Sequence, residues 1–121
     1  MAACVVFKIC PRPAWEEAIR LGFYDGSAVD RRDGFIHLSE RAQVEETAAR
    51  HFSGQRDLVL IALDAAALAA SLRYEPSRGG MLFPHYYGAL PVGAALWVEP
   101  LGLDRAGDPQ VPKRFHDEPT R

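Results

Sequence analysis

The chain has 121 residues, 48% of them apolar and 25% charged, with a formal net charge of -2 at pH 7. That length supports one domain with a core of its own, and there is no Lys/Arg stripe of the kind that nucleic-acid binding requires. No apolar run reaches the roughly 20 residues that cross a bilayer, and the first residues lack the regions of a signal peptide, so a cytoplasmic protein with neither membrane nor nucleic acid as partner is expected.

In chain order, Cys4 to Ile9 reads as a first strand, rich in β-formers and closed by Pro11 and Pro13. Cys4 and Cys10 would lie roughly 20 Å apart along it, out of disulfide reach. Two such cysteines without a CxxC spacing fit a reducing compartment. Ala14 to Leu21 is expected to be helical, with Pro13 in the first turn, Gly22 past the end, and Trp15, Ala18, Ile19 and Leu21 as the apolar stripe. Phe23 to Arg32 is loop-like, and the charges Asp30, Arg31, Arg32 and Asp33 read as a solvated cluster.

Asp33-Gly34 then leads into a strand ending at Ser39. Its alternation puts Ile36 and Leu38 on one face and Phe35, His37 and Ser39 on the other. Ser39 is placed to cap a helix from Glu40 to about Phe52. Leu58 to Leu63 (LVLIAL) is the continuous apolar run of a central strand covered on both faces. Asp64 caps a short alanine-rich helix, Ala65 to Leu72, followed by a strand at Arg73-Tyr74-Glu75 and a glycine-containing loop over residues 77–80. The segment Phe83-Pro84-His85-Tyr86-Tyr87-Gly88 would gather Phe83, His85 and Tyr87 on one side, with Pro84 favouring an edge or pocket-lining position. A last strand runs from Ala94 to Glu99. Residues 1–112 are thus read as a single domain, and residues 113–121, nearly without apolar side chains, as a poorly ordered tail. The element order suggests an α+β domain with a curved, mostly antiparallel or split sheet.

Chemistry is expected where the two histidine-bearing stretches meet. His37, His85 and Glu75 are the candidate catalytic set, for acid/base work or substrate orientation. Ser39, Phe83, Tyr86, Tyr87 and Gly88 are candidate ligand contacts: polar tips to orient, aromatic faces for a flat group, a glycine for close approach. Each also has a structural reading, as a hydrogen-bonded core histidine, a helix cap or an aromatic packing cluster. Two histidines and a carboxylate are metal-ligand types, but Glu75 stands 38 residues from His37 and 10 from His85 with no local motif, so no metal is expected.

These residues also carry a resemblance. Trp15 and Ala18, the Asp33–Ser39 stretch, Gln43-Val44, His51-Phe52, Leu58-Val59-Leu60, Tyr74-Glu75 and the FPHYYG segment together resemble a bacterial family catalogued as domain of unknown function nine-five-two, over about Val5 to Pro112. The resemblance implies the ADP-ribosyltransferase-like superfamily: a split mixed or antiparallel sheet with two to three helices around a cleft for NAD or a related nucleotide. There, an early-strand histidine or arginine holds a ribose hydroxyl, a tyrosine or serine with a stacked aromatic holds the nicotinamide, and a late glutamate orients the acceptor. Lys8 occupies the place implied for the early histidine. His37 with Ser39 offers another ribose anchor, and Glu75 precedes the FPHYYG segment where the superfamily's glutamate would follow it. Two functions stand: an enzyme acting on NAD (as substrate), an ADP-ribosylated product or a phosphorylated nucleotide, or a non-catalytic module for a nucleotide-like small molecule.

Overall fold

A computed structural model describes residues 4–117. Strand β1 (Val5–Pro11) runs directly into helix α1 (Arg12–Leu21), which ends on Gly22. Strand β2 (Phe23–Tyr24) and helix α2 (Ala28–Asp33) occupy the stretch expected to be a loop. Local chemistry builds α2. The Ser27 hydroxyl accepts from Asp30 N at 3.1 Å and the Asp30 carboxylate accepts from Ser27 N at 2.9 Å, a reciprocal capping box. At its far end Gly34, at φ 86°, takes the left-handed conformation that closes a helix.

Strand β3 (Ile36–His37) is followed by a 3-10 turn (Arg41–Gln43) and helix α3 (Val44–His51). Ser39 does not cap this helix. Glu40 precedes the turn, its N–H bonded to the Gln43 side chain at 2.9 Å, while the Ser39 hydroxyl donates to Thr47. Strand β4 (Leu58–Asp64), helix α4 (Ala65–Leu68) and strand β5 (Leu72–Pro76) come next, with Asp64 capping α4 through Ala66 N at 3.0 Å. The remainder is β6 (Leu82–Tyr86), β7 (Leu90–Pro91), β8 (Ala95–Leu103), β9 (Pro109–Gln110) and helix α5 (Lys113–Asp117). Composition assigns residues 113–117 to a tail. In the fold Phe115 is buried against Phe7, ring centroids 5.3 Å apart, and Arg41 donates to its carbonyl at 2.7 Å. Residues 118–121 of the expected tail lie outside the described residues.

The class is α+β and every strand pair is antiparallel. One sheet has the order β1-β4-β8-β9, a second β3-β6-β5, and β2 pairs with β7. Among the described residues one isolated bridge, Phe7 to Ser39, joins the two larger sheets into one curled half-barrel surface. Strand β4 is central, as its unbroken apolar run requires. Period two sends Val59, Ile61 and Leu63 into one buried cluster and Leu58, Leu60 and Ala62 into another. Pro84 sits in the middle strand of its sheet and not at an edge. Its carbonyl accepts from Leu38 N at 3.0 Å, so its missing N–H falls on the side where β3 has already ended.

The stripe of α1 is narrower than its sequence suggests. Trp15 and Ala18 are buried, whereas Ile19 and Leu21 are 58% and 48% exposed. Leu60→Ala should therefore cost about 2–5 kcal/mol through the cavity it leaves, while Ile19→Ala should stay within about 0.5 kcal/mol of the parent. Urea denaturation of the two variants checks both.

Candidate functional site

Strands β3 and β6 pair with His37 directly opposite His85, so the two histidine stretches meet as their alternation requires. The imidazoles are 5.6 Å apart, and Phe35 packs against both of them. Its ring stacks on His85 at 4.0 Å and 22°, and tilts against His37 at 4.6 Å and Tyr87 at 5.4 Å. A cleft of about 700 Å³ opens beside this cluster where the two sheets part, and its walls include Lys8, Ile9, His37, Ser39, Phe83 and His85.

The two histidines have opposite environments. The backbone and ring of His37 both turn to Asp30: N–H to Oδ1 at 3.1 Å, Nδ1 to Oδ1 at 2.6 Å. Its Nε2 lies 3.0 Å from Asp33 Oδ2. Both ring nitrogens thus face carboxylates. Asp30, buried, also accepts from Lys8 Nζ at 3.0 Å, and the same ammonium donates to the His37 carbonyl at 3.0 Å. Burial alone would raise the Asp30 carboxyl. The His37 hydrogen bond, the Lys8 charge and the N–H groups of Ser27 and His37 outweigh it and hold the carboxyl well below the usual range. Asp30 is therefore an ionised anchor and not a member of a solvated cluster. Lys8, in the place implied for a histidine, is its partner.

His85 is nearly buried, and its Nδ1 meets Glu75 Oε1 at 2.8 Å. Tyr87 donates its hydroxyl to the same oxygen at 2.7 Å. The Tyr87 bond first, then His85, lowers the Glu75 carboxyl below its ordinary range. With hydrogen on Nδ1, the neutral ring leaves its lone pair on Nε2. That atom is buried and has no hydrogen-bond partner among the described residues. His85 lines the cleft, so the arrangement is a carboxylate-oriented imidazole with one unengaged nitrogen.

Of the residues singled out in the sequence, His85, Glu75, Phe83 and Tyr87 share one side of the second sheet by register. Tyr86 faces the other way and packs on the first apolar cluster. Ser39 is buried in the cleft wall against Thr47. Gly88, at φ 137°, serves the backbone: an added Cβ would meet only the Tyr86 ring, at 3.7 Å. Phe35 and Asp30 were not picked out. The alternation that pairs Phe35 with His37 was the signal for the first, and the Ser-x-x-Asp spacing for the second. Cys10 also lines the cleft, but burial pushes its thiol up to about 12, which keeps it protonated and unreactive at neutral pH.

Residues 9–98 match the family described as "Protein of unknown function (DUF952)". The chain belongs to that family. The DUF952 chain is also similar to a crystal structure of protein CC0527 from Caulobacter crescentus, with 45% identity over 93% of this chain and 98% of that one, and a TM-score of 0.89. A crystal structure of a CC0527 double mutant gives 43% identity over the same shares and a TM-score of 0.88. The solution structure of CC0527 gives 47% identity over 88% and 91%, with a TM-score of 0.79. No curated protein matches this DUF952 chain. Among the described residues no helix is long and apolar enough to cross a membrane.

Two expectations follow for this DUF952 site. Asp30→Asn should cost about 3–5 kcal/mol at pH 7, because it breaks a buried pair and leaves the Lys8 charge uncompensated. A folded-state pKa below the unfolded value stabilises above the unfolded value, near 4, and that contribution fades as pH falls through the folded value. The gap between parent and variant should therefore shrink below about pH 4, read from denaturation midpoints at stepped pH. Glu75→Ala should release the His85 tautomer: nitrogen-15 NMR should find Nδ1 protonated in the parent and a mixture of tautomers in the variant. An unchanged tautomer in Glu75→Ala would deny Glu75 its orienting role.

Proposed function

We propose that this protein is an enzyme acting on a nucleotide-like small molecule, with NAD and ADP-ribose as the leading candidates, and that His85 is its general base. The carrying observation is His85, a residue that lines the cleft and whose Nε2 is buried without a partner among the described residues, on a ring whose other nitrogen meets Glu75. A substrate hydroxyl or a water held against Nε2 would pass its proton to that nitrogen as its oxygen bonds to the ribose C1′ of NAD; the C1′–N bond breaks, its electron pair leaves with neutral nicotinamide, and Glu75 would stabilise the imidazolium that results. Phe35, stacked on the ring, restricts its rotation. Splitting of an antiparallel α+β domain around the cleft supports the ADP-ribosyltransferase-like reading of the fold, and with it the nucleotide class of ligand.

A second reading, a binding module without chemistry, draws support from His37. Both of its ring nitrogens are engaged by carboxylates, so it is poorly placed to shuttle protons and better suited to shaping the wall. In the catalytic reading His37 supports the site and His85 with Glu75 performs the chemistry.

Calorimetry with NAD, ADP-ribose and AMP, beside a nicotinamide-release assay, tests both readings. The parent should bind at least one of the three and turn it over. His85→Gln should lower turnover by about 10²–10⁴-fold with a much smaller change in affinity. Binding without turnover would favour the module; no binding of any of them would end the nucleotide reading.

A further inference from the structure

We infer that the edge of β1 at Ile9 reads the base of the bound nucleotide, and that the ligand is one whose ring edge carries a hydrogen-bond donor beside an acceptor, as adenine does. This rests on the nucleotide reading of the cleft and adds a recognition site to it.

In an antiparallel ladder the N–H and C=O of one residue point to the same neighbour, and the direction alternates along the strand. Phe7 exchanges both bonds with Ser39, at 2.8 and 2.9 Å, so it faces away from β4. Ile9, two residues on, faces the same way. Continued from the Phe7–Ser39 bridge, the ladder would set Ile9 against His37. His37 is committed elsewhere: its N–H goes to Asp30 and its carbonyl to Lys8. Ile9 is therefore left with an N–H and a C=O that have no hydrogen-bond partner among the described residues. Both belong to a residue only 6% exposed that lines the cleft.

Buried backbone groups are nearly always paired, so an unpaired donor and acceptor side by side in a cleft wall call for a ligand that supplies both complements. The next residue facing this way, Pro11, has no N–H. The open edge is thus a single residue long at full strength. An added peptide strand needs a run of such pairs, whereas a planar ring edge needs one. Val44 and Phe52, which share the apolar cluster of the Ile9 side chain and also line the cleft, supply apolar surface for the ring.

NMR on the nitrogen-15-labelled protein tests this without altering the chain. Before ligand is added, the Ile9 amide should exchange with solvent faster than that of Phe7. AMP should shift the Ile9 amide saturably and slow its exchange. Purine riboside 5′-monophosphate, which lacks the exocyclic amine, should bind at least about tenfold more weakly, because the Ile9 carbonyl loses its donor. Equal binding of the two nucleotides, an Ile9 amide that bound AMP leaves unmoved, or an Ile9 amide protected like Phe7 before ligand is added would each overturn the inference while leaving the nucleotide reading in place. Failure of AMP, ADP-ribose and NAD alike to bind would remove that reading and this inference together.

Discussion

The site depends on one buried carboxylate. Asp30 receives an ammonium, a ring N–H and two backbone N–H groups, from β1, β3 and its own helix cap. A lone ion in that position would be costly, and Lys8 with the three other donors offsets the loss of water. The consequence is topological. Because Asp30 and Lys8 take up the polar groups of His37, β3 cannot continue its ladder along β1, and the sheets diverge after the Phe7–Ser39 bridge. The cleft opens where a sheet would otherwise have continued.

That division gives the two histidines different physics. His37 lies on the side of the ion pair, and each of its nitrogens already meets a carboxylate. His85, its partner across the ladder, has a carboxylate on one nitrogen only. Phe35 and Glu75 fix its plane and its tautomer, and the remaining nitrogen points to no protein group among the described residues. Preorganisation of this kind lets an imidazole accept a proton without rearrangement.

Much of the fold was legible because it is governed by short-range rules. The LVLIAL run could only be a strand covered twice, and β4 is that strand. Gly22 after a helical stripe, Asp64 before an alanine run and the alternation through GFIHLS all mark local geometry, and each reappears in the structure. The misreadings share a cause. Asp30, Arg31 and Arg32 look solvated together, yet only the fold supplies Lys8, from 22 residues upstream, to bring one of them inside. Pro84 looks like an edge residue, and it is tolerated in the middle strand because β3 stops before reaching it. Phe115 is the lone large apolar side chain of its segment, and nothing local shows that Phe7 and Arg41 will cover it.

By itself the sequence determined which residues share a face and which segments are strands or helices. Alternation and capping act between near neighbours, and they place His37 beside Phe35 and His85 beside Phe83. Only the tertiary structure decided which histidine is bound by charge and which keeps a free nitrogen. Besides the nearby Asp33, that outcome turns on Lys8, Asp30 and Glu75, partners 7 to 29 residues away, joined by pairing distances that no local pattern encodes. Ile9 makes the same point: an ordinary strand residue became a candidate recognition edge because the groups that would have satisfied it were claimed by Asp30, 21 positions downstream, and by the adjacent Lys8.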